Sequence, residues 1–114
     1  MWLVTFTALL LLGVLGIVIV ANRSSRPSLH IATTTITISN FMFHPMSVTV
    51  APGTTIKVIN DDTTVHTLSS VTGVFDTGNI AAHGSKEFFA PLRRGSYQYM
   101  CNIHQFMMGS IIVK

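Results

Sequence analysis

The sequence predicts an all-β domain, a Greek-key β-sandwich or barrel of about eight short strands, preceded by an N-terminal hydrophobic helix. Three observations carry this. From Ile31 onward, short segments rich in threonine, valine and isoleucine alternate apolar with polar residues. Turn signals such as Ala51-Pro52-Gly53 and Arg93-Arg94-Gly95 separate them. Beyond residue 21, no segment sustains an apolar period of 3.6 residues.

Residues 1–21 form the first element. Seventeen of them are apolar and none is charged, and a run of about 20 such residues spans a bilayer as a helix. A cleaved signal peptide usually carries a basic start and a shorter apolar core. This segment therefore reads as a membrane anchor, although Ile19-Val20-Ala21 offers a small-residue cleavage site that would release a secreted domain. Residues 22–30 (Asn-Arg-Ser-Ser-Arg-Pro-Ser-Leu-His) have the polar composition of a linker. Arg23 and Arg26 alone would place that side in the cytoplasm. The chemistry described below outweighs two arginines and places the domain, residues 31–114, outside the cytoplasm.

Within the domain, strands are expected at residues 33–39, 46–50, 54–60, 65–69, 75–76, 86–90, 96–101 and 110–113. In the first, Ile36 and Ile38 alternate with threonines; in the second, Met46, Val48 and Val50 alternate with Ser47 and Thr49. The 114 residues leave room for one such domain and exclude a multi-domain enzyme. The mean hydropathy of +0.53 belongs mostly to the leader. Residues 31–114 carry five basic and four acidic side chains, too even a balance for a nucleic-acid binder. A single cysteine, Cys101, excludes an internal disulfide framework. Outside the cytoplasm, a lone thiol is odd unless something occupies it.

Residues 97–109 (Tyr-Gln-Tyr-Met-Cys-Asn-Ile-His-Gln-Phe-Met-Met-Gly) hold most of the chemistry. They put a thiol, an imidazole and a thioether at Cys101, His104 and Met107, on a loop before the terminal strand. His66 lies 35 residues upstream, in Asn60-Asp61-Asp62-Thr63-Thr64-Val65-His66-Thr67. One thiolate, two imidazoles and one thioether suit copper cycling between Cu(I) and Cu(II). A structural zinc site would take four cysteines and histidines rather than a methionine. His30 falls in the linker, and His44 and His83 sit beside turn residues without partners at ligand spacing.

Three stretches make the pattern specific. They are Phe43-His44-Pro45 followed by residues 48–60 (Val-Thr-Val-Ala-Pro-Gly-Thr-Thr-Ile-Lys-Val-Ile-Asn), Gly95-Ser96-Tyr97-Gln98-Tyr99-Met100-Cys101, and Cys101-x-x-His104-x-x-Met107. Together residues 36–114 resemble the cupredoxins, the small blue copper proteins, and most closely the amicyanin type with its short ligand loop. Plastocyanin spacing would put the axial methionine at Gly109. The resemblance implies one copper ion, with His66, Cys101 and His104 in a plane and Met107 capping it axially. Met108 is the competing axial candidate, one residue out of register. Thr67 stands where the family often has asparagine, next to a backbone amide that donates to the cysteine sulfur. Asn60 is expected to tie the first ligand loop, or else to be a plain turn residue.

The function so implied is single-electron shuttling between redox protein partners by a monomer held to the membrane through its N-terminal segment. The location is extracytoplasmic, on the periplasmic or cell-surface side. Four protein ligands leave no open position for a substrate, so no enzyme is expected. The alternative is a copper carrier or chaperone without an electron-transfer role, although such sites favour open methionine and histidine sets over a closed thiolate.

Overall fold

Eight strands form: six lie where the alternation predicts them, the expected 65–69 segment shrinks to a two-residue strand, 75–76 makes only a single bridge, and one strand is new. The structure, a computed structural model, describes Gly13, residues 16–21 and residues 32–114. Most of the expected anchor and all of the linker lie outside the described residues. Residues 16–21 carry no regular element, and no helix among the described residues is long and apolar enough to cross a membrane.

The strands are β1 (Thr33–Ser39), β2 (Met42–His44), β3 (Ser47–Val50), β4 (Thr55–Asn60), β5 (Ser69–Ser70), β6 (Ser85–Phe89), β7 (Gly95–Met100) and β8 (Met108–Val113). They build two four-stranded sheets, ordered β2-β1-β4-β6 and β3-β8-β7-β5. Each sheet is mixed: β1 runs parallel to β4, β3 runs parallel to β8, and the other pairs are antiparallel.

Period-two alternation decides which side chains meet between the sheets. Ile36 and Ile38 of β1, Ile56 and Val58 of β4, and Phe43 of β2 face Val48, Val50, Tyr99, Ile111 and Val113 of the second sheet in one buried cluster. Phe43 and Tyr99 meet edge to face across it, with ring centroids 4.9 Å apart. Each fully buried aliphatic or aromatic side chain contributes about 1.5–3 kcal/mol.

The same phase carries past the strand ends and sets up the site. Asn60 follows Ile56 and Val58 on the inner face, and Cys101 follows Tyr99; both are fully buried. The core layer thus turns polar at one end of the sandwich, where the loops gather.

Strand β2 was not expected. A two-residue turn, Asn40 and Phe41, joins it to β1, with both residues left-handed at φ 52° and 57°. That conformation matches the twist of a hairpin but favours asparagine or glycine; a bulky residue such as Phe41 there costs roughly 1–2 kcal/mol. Phenylalanine at the second position hides the turn from sequence reading. The segment 65–69, expected as a strand, pairs only as β5 and through single bridges, His66 to Ile80 and Ser69 to Asp76.

Gly109 lies opposite Tyr99 in the β7–β8 pair. A Cβ there would run into the Tyr99 ring and come within 2.6 Å of the Met46 carbonyl oxygen. The Tyr99 hydroxyl donates to that oxygen at 3.4 Å, and burial pushes the phenol well above its ordinary pKa. Gly109→Ala should therefore destabilise the domain by about 1–3 kcal/mol, the usual cost of overpacking. Thermal unfolding of the metal-free protein checks this; an unchanged midpoint would show that Tyr99 can move aside.

Candidate metal centre

Two loops at the polar end of the sandwich carry the donors. Residues 101–107 close a hairpin between β7 and β8. The Cys101 N–H donates to the Met107 carbonyl at 3.1 Å, and the Met107 N–H donates to the His104 carbonyl at 2.9 Å. His66 is held from the other side by paired backbone bonds with Ile80, at 3.2 and 2.7 Å. Asn60 braces that loop: its amide nitrogen lies 2.8 Å from the Thr64 carbonyl, 3.1 Å from that of Ile80 and 3.2 Å from that of Ala81. Its side-chain oxygen accepts from the Asp62 N–H at 3.0 Å.

Between the loops, three donor atoms converge. Cys101 Sγ lies 3.8 Å from His66 Nδ1 and 3.8 Å from His104 Nδ1, and the two nitrogens are 3.2 Å apart. A point equidistant from all three lies about 2.1 Å from each, the length of a metal–imidazole bond and slightly under the 2.3 Å of a metal–thiolate bond. His66 and Cys101 are completely buried, and His104 is half-buried.

The surroundings fix these atoms. His66 Nε2 lies 2.8 Å from Asp62 Oδ2. An ionised carboxylate only accepts, so Nε2 carries the proton and Nδ1 turns a lone pair inward. Burial pushes the Asp62 carboxyl up, but donation from the Phe41 N–H, the His66 ring and the Asn40 N–H outweighs it. The net result is a pKa below the usual carboxylate value. The Cys101 sulfur accepts from the Thr67 N–H at 3.3 Å. Phe41 stands edge-on to both histidines, at centroid distances of 5.1 and 5.0 Å.

His66, Cys101 and His104, singled out in the sequence, are thus brought together. Met107, on the same loop, is buried, whereas Met108 is half exposed on β8. The Thr67 hydroxyl accepts from the Asn102 N–H at 2.9 Å and so ties the loop of His66 to the loop of Cys101. Ser69 extends this tie to Thr67, Asn102 and Asp76, at 3.0, 3.0 and 2.8 Å. His44 bonds the Ser39 carbonyl instead, His83 sits in a left-handed turn, and His30 lies outside the described residues. Sequence reading assigned no role to Asp62 or Phe41. The spacing of Asp62 four residues before His66 was the one available signal.

A family model described as a cupredoxin-like domain matches residues 9–113. The chain belongs to the cupredoxin-like family. Among curated proteins none matches it. Among solved structures, it is similar to the reduced Cu(I) form, at pH 4, of a proline-to-glycine mutant of amicyanin, with 22% identity, 72% of this chain and 82% of that chain covered, and a TM-score of 0.66. It is also similar to the Cu(I) form of a methionine-to-alanine amicyanin mutant, at 21% identity, 72% and 82% coverage and a TM-score of 0.65. A purple cupredoxin from Nitrosopumilus maritimus matches at 24% identity, 71% and 99% coverage and a TM-score of 0.64. These likenesses establish the fold: an all-β cupredoxin sandwich.

The donor set fits one copper ion. A thiolate stabilises Cu(I), imidazoles hold Cu(II), and their spacing leaves a metal-sized gap. The tie through Thr67 is open to test without metal. Thr67→Val keeps the backbone N–H on sulfur but strips the Asn102 N–H of its acceptor, at a cost of about 1–3 kcal/mol. The urea midpoint of the metal-free protein should fall accordingly; no change would mean that water replaces the hydroxyl.

Proposed function

We propose that the chain is a type 1 (blue) copper protein that shuttles single electrons between redox protein partners, with His66, Cys101 and His104 as equatorial ligands and Met107 as the axial one. The observation that carries this reading is the closed triangle of one sulfur and two imidazole nitrogens, 3.2–3.8 Å on its sides. When bound, copper supplies the one-electron Cu(I)/Cu(II) couple. The residues supply a frame that holds the donors in place whichever oxidation state is present, which keeps reorganisation small. Enclosure by four protein donors favours an electron carrier over an enzyme.

His104 is the proposed electron port, because it is the one ligand that reaches the surface. Phe106, Ile103 and Met108 around it are exposed, at 72%, 46% and 51%. An apolar rim of this kind suits the brief, small contacts of redox encounters, which bury under roughly 1,200 Å².

Purified protein given Cu(II) should develop an intense blue thiolate-to-copper band, and Cys101→Ala should abolish it. Met107→Ala should stay coloured with a shifted reduction potential, while Met108→Ala should change neither. A colourless complex would favour the copper-carrier alternative. A silent Met107→Ala beside a responsive Met108→Ala would reverse the axial assignment.

We further propose that residues 1–21 anchor the domain, that residues 22–30 tether it, and that residues 31–114 work outside the cytoplasm as a monomer. The support is the uncharged leader together with an unpaired, buried cysteine. Full-length protein should fractionate with membranes and resist high-salt extraction. Recovery only of a form beginning near Asn22 would make the segment a cleaved signal peptide.

A further inference from the structure

The carboxylate of Asp62 is used by three donors at once. Oδ1 accepts from the Asn40 N–H at 2.8 Å, and Oδ2 accepts from the Phe41 N–H at 3.0 Å and from His66 Nε2 at 2.8 Å. The two backbone donors belong to the left-handed turn between β1 and β2. The ring donor belongs to the buried candidate ligand. Asp62 is itself held, because its own N–H donates to Asn60, and the Asp61 N–H beside it donates to the Ile38 carbonyl at 2.9 Å.

We infer that Asp62 is a positioning residue for the metal centre: one carboxylate fixes the proton and orientation of His66 and fastens the turn that sets Phe41 over both imidazoles. This deepens the copper reading and rests on it. The turn needs such a fastener, because Phe41 gains nothing locally from a left-handed backbone. From that conformation in the hairpin its ring makes edge-to-face contact with His66 and His104. The side chain of Asp62 is 13% exposed, so the ion–ring contact is shielded from most solvent. A carboxylate on the outer N–H makes the inner nitrogen a stronger donor. It also puts negative charge near the metal, which favours the more highly charged Cu(II).

The test uses the full chain as wild type, Asp62→Asn and Asp62→Ala. In the metal-free protein, nitrogen NMR should find the His66 ring in the single Nε2–H tautomer for wild type. In Asp62→Ala it should find mixed tautomers, and the ring-current shifts that Phe41 imposes on the two imidazoles should be lost. With copper, both variants should remain blue yet bind Cu(II) about 10–100-fold more weakly. They should lose less affinity for Cu(I), so the reduction potential rises. Asp62→Asn keeps the shape of the side chain and serves if Asp62→Ala does not fold. A merely structural Asp62 would lower stability without changing the ratio of Cu(II) to Cu(I) affinity. An unchanged ratio in blue Asp62→Asn protein, or an unchanged tautomer in Asp62→Ala, overturns the inference and leaves the copper reading standing. Wild-type protein that never turns blue overturns both.

Discussion

The ligand end of the sandwich answers to one constraint: three lone-pair donors must sit within 3.2–3.8 Å of one another in a place that excludes water. Left to themselves, a thiol and two imidazoles at such distances would turn aside to solvent or to each other. Three devices prevent this. Strand phase carries Cys101 inward behind Tyr99, the bonds to Ile80 grip His66 on both sides, and a short hairpin returns His104 over the thiol. None of these devices involves the donor atoms themselves, which leaves them free for a metal.

The polar residues that line this end are all occupied. Among the described residues, no buried side-chain nitrogen or oxygen lacks a hydrogen-bond partner. Asn60 satisfies the loop before His66, Thr67 joins that loop to the one after Cys101, and Ser69 links both to Asp76. A fully satisfied polar network is stiff, since moving any member strands another in a low dielectric. Such stiffness suits the proposed role in electron transfer, for which the donor frame must hold still.

Much of this was legible in the sequence, for a definite reason. Strand β1 is legible to the residue, because Ile36 and Ile38 alternate with polar β-formers across it. Cys101 and His104 are legible because a thiol, imidazole and thioether at three-residue steps form a dense local pattern, and His66 because it is an imidazole on another strand-connecting segment. The β1–β2 turn was not, because its left-handed second residue is a phenylalanine where hairpin chemistry calls for glycine. Asp62 was hidden similarly: an aspartate beside another aspartate in a loop looks like a solvated turn. Its role depends on Asn40 and Phe41, more than 20 residues away. Residues 65–69 carry strand composition yet mostly form the loop that holds His66, which pairs only through β5 and single bridges.

The sheet order has a consequence in time. Strand β8 pairs with β3, and Ser110 bonds Ser47 across 63 residues of sequence. Cys101 meets Thr67 across 34. Domains dominated by such distant pairings fold in milliseconds to seconds rather than microseconds. Until the second sheet closes, Cys101 is an open thiol on a mobile chain, reachable by oxidants and by any soft metal present. The rate at which β3, β7 and β8 find one another therefore sets how long the nascent site stays vulnerable, and a slow folder would be guarded best by early metal capture.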